Sequence, residues 1–254
     1  MVTVFRWRER QAGEGSRFGV DWAITDRHGG ASQDGYSELN LGAGVGDSPE
    51  AVSTNRHRLA RAFQLHGADL RFMAQQHGAE VDTAGDTADP PAADGLVTDR
   101  TDVALVVLVA DCTPVLLLDR TEGLVAAVHA GRPGMLAGVV PAALARMRDL
   151  GARHLEAVVG PSVCPRCYEV PSEMRDQAGQ VSAVAPSVSW TGTPAIDVAA
   201  AVVEQLHDAE VAVRWLPGCS RESEDLYSPR RDGGDGRTGR YAGVVRLLSP
   251  EGVA

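Results

Sequence analysis

Three residues of this sequence follow short apolar runs and carry side chains able to bind a metal or act as nucleophiles. They are His77 after residues 70–75, Cys112 after residues 103–110 and His129 after residues 124–128. Strand ends in a layered α/β protein converge on one edge, where such folds place ligands. The neighbours are small or turn-forming (Gly78; Asp111 and Thr113-Pro114; Ala130-Gly131), so backbone can approach a bound group closely. Two imidazoles and a thiolate suit zinc, and three protein ligands would leave one position open for substrate. Two other readings stand beside this one. A thiolate next to an imidazole is an activated nucleophile, and each residue taken singly can be structural, a buried Cys or a His at a strand end.

Two further segments invite the same question. Cys164-Pro165-Arg166-Cys167 is a C-x-x-C, which in a redox protein opens a helix and in a structural zinc site needs a second ligand pair. Only Cys219 is left over as a partner, so the reading favours ordinary loop structure. The stretch 228–240 carries Arg230, Arg231, Arg237 and Arg240 among glycines. It could wrap an anion with guanidinium forks, but a solvated turn neutralised by Asp232 and Asp235 is the favoured reading. Asn40 in the Gly-rich loop reads as an Asx-turn before a ligand contact, and Asn55-Arg56 is a weak signal alone.

The elements that must position these residues alternate short strands with helical segments. Residues 18–24 read as a strand and 29–46 as a long loop. Ser48 caps a helix that has Pro49 at its first position and runs to residue 65. Residues 70–75 read as a strand and 82–94 as a polar loop. The runs 103–110, 115–118 and 124–128 lack polar alternation, which predicts strands buried on both faces. A helix is expected over 134–150, kinked or delayed by Pro141. A strand over 156–159, a helix over 196–208 and a short strand over 214–216 complete a mixed α/β (α+β) reading as one domain spanning 1–254.

The 254 residues include 34 acidic and 24 basic side chains, a net charge of −10, and every basic residue is arginine. Without lysine there is no Schiff-base, pyridoxal-phosphate or P-loop chemistry. No basic run supports nucleic-acid or anionic-membrane binding, no apolar stretch reaches bilayer length, and four cysteines do not make a disulfide framework. A cytoplasmic protein, a monomer or small homo-oligomer, is the expectation.

Taken together the sequence closely resembles the laccase-domain, or multicopper-polyphenol-oxidase-like, family. The matching motifs are Leu39-Asn40-Leu41-Gly42 with Val45-Gly46-Asp47, Asn55-Arg56, Gln76-His77-Gly78 and Ala93-Asp94-Gly95-Leu96-Val97-Thr98. They continue through Ala110-Asp111-Cys112-Thr113-Pro114-Val115, His129-Ala130-Gly131, Gly160-Pro161-Ser162 and Cys167-Tyr168-Glu169-Val170 to Arg230-Arg231-Asp232 and Thr238-Gly239-Arg240.

The resemblance implies an α/β/β/α sandwich of the kind shared with cysteine-dependent toxin deamidases, and zinc held by His77, Cys112 and His129 as the catalytic residues. It implies phosphorolysis of adenosine, inosine and methylthioadenosine, with adenosine deamination as a side activity. Arg56, Arg230 and Arg231 become candidates for phosphate, Asn40 for the nucleoside, and Asp111 or Glu169 for acid/base work. A peptidoglycan-precursor editing or cell-division role is the alternative. Copper-dependent polyphenol oxidation is disfavoured, because seven histidines, only two well placed, are a poor supply for several copper sites. One departure matters: the family continues His-Ala-Gly with Trp-Arg-Gly, whereas this chain has Arg132-Pro133-Gly134, which puts the purine contact there in question.

Overall fold

The apolar runs form the centres of two stacked β-sheets. The computed structural model describes residues 4–250 apart from Ser16, Ala88 and Asp235, so the expected neutralising role of Asp235 lies outside the described residues. The chain begins with β1 (Phe5–Gln11), β2 (Gly19–Thr25), α1 (Pro49–Ala62), β3 (Leu70–Arg71), β4 (Val81–Thr83) and β5 (Gly95–Thr98). The central strands follow as β6 (Ala104–Val109), β7 (Thr113–Asp119) and β8 (Leu124–Ala130), then α2 (Arg132–Ala137), α3 (Val139–Asp149) and β9 (Glu156–Val159). The last third holds α4 (Ser172–Val181), the hairpin β10 (Pro186–Val188) and β11 (Pro194–Ile196), α5 (Val198–Asp208), β12 (Ala212–Trp215), α6 (Pro229–Asp232) and β13 (Tyr241–Leu248).

One sheet has the order β1-β2-β13-β6-β3 and the other β12-β9-β7-β8-β5-β4. Pairing is antiparallel except for β3 with β6, β4 with β5 and β12 with β9. Alternation explains why the runs lack polar residues. Leu105, Val107 and Val109 of β6, Leu116 and Leu118 of β7, and Val125 and Ala127 of β8 meet in the core between the sheets. The opposite faces are buried too. Val115, Leu117, Ala126 and Val128 pack under α3 and α5, while Ala104, Val106 and Val244 pack under Leu59 and Phe63 at the end of α1. The layers are therefore α/β/β/α, as the family resemblance implied.

Several boundaries depart from expectation, each for a local reason. The strand expected over 70–75 stops at Arg71. Beyond it the Gln75 side chain substitutes for backbone pairing with β6, donating to Leu108 C=O at 2.8 Å and accepting from Leu108 N–H at 2.9 Å. Helix α1 has the expected Ser48 cap, whose Oγ accepts from Ala51 N–H at 3.3 Å, but it ends at Ala62. The helix expected over 134–150 begins earlier, at Arg132, and is broken at Gly138, whose φ of 83° is left-handed. Pro141 sits in the first turn of α3, where a missing N–H costs nothing. The polar loop expected over 82–94 begins with β4, and β13 was not anticipated, because Gly243 and Arg246 interrupt its apolar run.

Between β7 and β8 the chain turns on Asp119, which is wholly buried. Its carboxylate accepts N–H groups from Thr121 and Glu122 at 2.9 and 3.0 Å, and from Arg153 and His154 at 2.6 and 2.8 Å. Burial alone would raise its pKa, but these four bonds outweigh burial and hold it below the ordinary carboxylate value. A depressed folded-state pKa stabilises the fold above the unfolded value of about 3.9 and loses that contribution as pH falls through the folded value. Asp119→Asn is expected to lower stability by about 1–3 kcal/mol at neutral pH. In urea unfolding the gap from wild type should narrow in acid; a gap independent of pH would contradict this role.

Candidate metal centre and active site

The site is built on Asp94, a buried carboxylate just ahead of β5. It accepts backbone N–H groups from three consecutive residues: Gln76 at 3.1 Å, His77 at 3.0 Å and Gly78 at 2.7 Å. That clasp holds His77 in a left-handed conformation, φ 60°, which costs a non-glycine residue of order 1–2 kcal/mol. The same carboxylate lies 2.8 Å from His129 Nδ1. Burial would raise the Asp94 pKa, but the bonds from His129, Gly78 and Gln76 keep it lowered, so the group is ionised. An ionised carboxylate only accepts, so the imidazole proton sits on Nδ1 and Nε2 is left as the ligand atom.

His129 is the next-to-last residue of β8 and shares a face with Val125 and Ala127. It therefore emerges at the end of the core between the sheets. Cys112 occupies the turn from β6 to β7, behind Asp111, whose φ is 77°. That turn is held on three sides: Asp111 C=O accepts Val163 N–H at 3.0 Å, and its carboxylate accepts Ser220 Oγ–H at 2.6 Å and Arg230 N–H at 3.1 Å. Cys112 Sγ lies 3.9 Å from His77 Nε2, and the two imidazole rings meet edge to face at 4.7 Å. The three candidate ligand atoms lie within 4.8 Å of one another. Tetrahedral zinc separates a sulfur and a nitrogen ligand by about 3.5 Å, so the donor set fits zinc in both chemistry and spacing. Gly131 leaves no room for a side chain, since a Cβ there would stand 3.0 Å from both Cys112 Sγ and His77 Cδ2.

Charge reinforces the arrangement. Burial pushes the Cys112 thiol up, yet His129 and His77 outweigh it and bring it down to about 6. Burial pushes His129 down, yet Asp94 and Cys112 raise it to about 9. Both shifts favour a thiolate beside a protonated His129 until a metal displaces the Nε2 proton, a pair that nucleophilic catalysis would also use. Two imidazoles around one sulfur, one of them oriented by a buried carboxylate, is the arrangement of a metal site.

A cavity of about 510 Å³ opens on the triad. Its walls include Phe72, Met73 and Gly42–Val45, together with Arg56 and Arg240. Arg56 donates through Nε and Nη2 to Leu41 C=O at 3.0 and 2.9 Å and stacks on Phe72 at 3.9 Å. Arg240 donates through Nη1 to Gly239 C=O at 2.9 Å. Neither has a carboxylate ion-pair partner among the described residues, and burial lowers the pKa of both.

The structure separates the other sequence candidates from this cavity. Asn40 is wholly buried and makes the Asx-turn, accepting Gly42 N–H at 2.9 Å and Arg240 N–H at 2.8 Å. Arg231 spends its guanidinium on Asp232 and on the carbonyls of Ser220, Ser223 and Leu226. Arg230 lies over the Tyr168 ring and donates to Glu169 C=O at 3.2 Å. Glu169 is exposed and accepts from Thr191 Oγ1 at 2.6 Å. None of these four, nor Asp111, lines the cavity. Sequence reasoning passed over Asp94 as a functional residue, although its motif was quoted, because nothing in the order of residues says that its carboxylate turns back on His77. The departure at Arg132-Pro133 falls in the first turn of α2, and neither side chain reaches the cavity wall.

The layers and the site define a mixed α+β protein with a His₂Cys metal-type centre at one end of its inter-sheet core. Residues 21–248 match the family model described as multi-copper polyphenol oxidoreductase laccase, and the chain belongs to that family. A Streptomyces griseus protein named purine nucleoside phosphorylase is 50% identical over 89% of this chain and 94% of its own length. Its Streptomyces coelicolor counterpart, of the same name, is 47% identical over 90% and 96%. Among solved structures, YlmD from Geobacillus stearothermophilus superposes with a TM-score of 0.83 at 26% identity, covering 98% of this chain and all of that one. No helix among the described residues is long and apolar enough to cross a membrane.

Because Asp94 fixes both His77 and His129, Asp94→Asn is expected to weaken zinc affinity about 10–100-fold. Competition against a chromophoric chelator measures this, and unchanged affinity would show that Asp94 does not position the ligands.

Proposed function

We propose that this protein is a zinc-dependent purine nucleoside phosphorylase that takes adenosine, inosine or methylthioadenosine with phosphate to the free base and the ribose 1-phosphate. The observation that carries the reading is two half-buried arginines without carboxylate ion-pair partners among the described residues, on the wall of the cavity that holds the triad. Partial burial weakens the hydration of both guanidinium groups and no carboxylate bonds to them, so such a pair suits an anionic ligand. The names of the Streptomyces relatives agree with phosphate as that anion.

In this scheme Arg56 and Arg240 hold phosphate against the sugar, and Phe72 and Met73 give the base an apolar wall. A phosphate oxygen attacks the anomeric carbon, the carbon–nitrogen bond breaks, and its electron pair leaves on the purine, which takes up a proton. Holding the reactants in register supplies much of the rate. His77, Cys112 and His129 would hold zinc, which supplies Lewis-acid polarisation when bound. Asp94 keeps His129 in the ligating tautomer. Asp111, with both carboxylate oxygens engaged, is assigned to positioning Cys112 and not to proton transfer. Deamination of adenosine is a side activity in this reading. Polyphenol oxidation has less support, since only one ligand cluster among the described residues contains histidine.

Product analysis by mass spectrometry on metal-quantified protein tests the proposal. Adenine and ribose 1-phosphate should form from adenosine only when phosphate is present. No product from zinc-loaded protein would overturn it, and inosine formed without phosphate would make deamination the main reaction. Arg56→Met and Arg240→Met are each expected to raise the KM for phosphate about 10–100-fold, with a smaller change in the KM for adenosine. Equal loss for both substrates would place these arginines elsewhere in the mechanism.

A further inference from the structure

A second group of ligating side chains stands apart from the triad. Cys164, Cys167, Cys219 and Glu222 each offer one ligand atom, and the four atoms lie within 4.8 Å of one another. The C-x-x-C forms a turn in which Cys167 N–H donates to Cys164 C=O at 2.9 Å. Cys219 arrives from the loop after β12, where Ser220 N–H donates to Ser162 C=O at 3.0 Å. Cys164 N–H then donates to Cys219 Sγ at 3.3 Å, tying the two loops together at the sulfur. Glu222 Oε1 lies 3.2 Å from Cys167 Sγ, 3.9 Å from Cys164 Sγ and 3.3 Å from Trp190 Nε1. Cys167 and Cys219 are buried, and none of the cysteines is in a disulfide.

We infer that Cys164, Cys167, Cys219 and Glu222 form a structural zinc site. Three sulfurs and a carboxylate oxygen complete a tetrahedron with no open position, which is how structural zinc is bound and catalytic zinc is not. Tetrahedral Zn–S bonds of about 2.3 Å place two sulfurs about 3.8 Å apart, within the observed spread. A redox disulfide would use two sulfurs and leave the third, with a carboxylate beside it, unexplained. Sequence order hid the site because it supplied three cysteines and no second pair; the fourth donor is a glutamate in a loop that only folding brings near.

The site has a mechanical consequence. It clasps the loop that carries Val163 to the loop that carries Ser220, and these are two of the groups that hold Asp111 behind Cys112. Zinc here would fix the Cys112 turn from outside the active site. This inference does not depend on the reaction proposed above.

The test is zinc content and cobalt spectroscopy on protein purified under reducing conditions. Wild type should carry about two zinc ions per chain and Cys112→Ala about one. Cobalt-loaded Cys112→Ala should keep an intense thiolate-to-cobalt charge-transfer band, and adding Cys167→Ser should abolish it. Chelation of Cys112→Ala should also lower its Tm, because the clasp opens. If the double variant fails to fold, zinc released from Cys112→Ala by a mercurial thiol reagent still counts this site. Cys112→Ala without bound zinc would overturn the inference whatever wild type carries, as would a disulfide among these cysteines in the reduced preparation.

Discussion

One buried carboxylate organises the candidate active site. Asp94 accepts three consecutive N–H groups from the turn that carries His77 and the ring N–H of His129, although the two histidines lie 52 positions apart in the chain. An ionised carboxylate in the interior is costly unless its lone pairs are filled, and here four donors fill them. Those donors set the backbone of one ligand and the tautomer of the other. The left-handed conformation of His77 survives because that clasp holds it.

The rest of the fold keeps this arrangement in place. Both sheets are covered on their outer faces, so β6, β7 and β8 are fixed from two sides. Their ends deliver Cys112 and His129 to one end of the inter-sheet core. Cys112 is also braced from behind, through Asp111, by the loops that bring Val163, Ser220 and Arg230. The fully buried Tyr241 of β13 adds a bond to the same region, donating to Pro161 C=O at 2.7 Å.

Much of this was legible in the sequence, for identifiable reasons. Continuous apolar runs announce strands buried on both faces, which is why 103–110, 115–118 and 124–128 were located. The triad was visible because each ligand follows such a run. What was not legible depends on contacts between distant residues. Gln75 completes a sheet with its side chain, so no pattern marks the end of β3. Arg231 and Arg230 sit side by side in one motif, yet the fold spends the first on loop carbonyls and lays the second over Tyr168. Arg240, ten residues from Arg230, reaches the cavity because β13 begins beside it. Asn40 matched its motif and served a turn. A family motif marks residues that matter without saying whether they touch substrate or hold those that do.

In the proposed scheme His77, Cys112 and His129 converge on one metal ion, with Asp94 setting their geometry. Crystals of the wild-type protein grown without added metal, with anomalous diffraction recorded on both sides of the zinc absorption edge, test it most directly. An anomalous peak is expected within bonding distance of Cys112 Sγ, His77 Nε2 and His129 Nε2, with Asp94 still bonded to His129 Nδ1. A zinc-replete crystal with no peak at the triad, or with His129 turned so that Nδ1 faces the cavity, would contradict it.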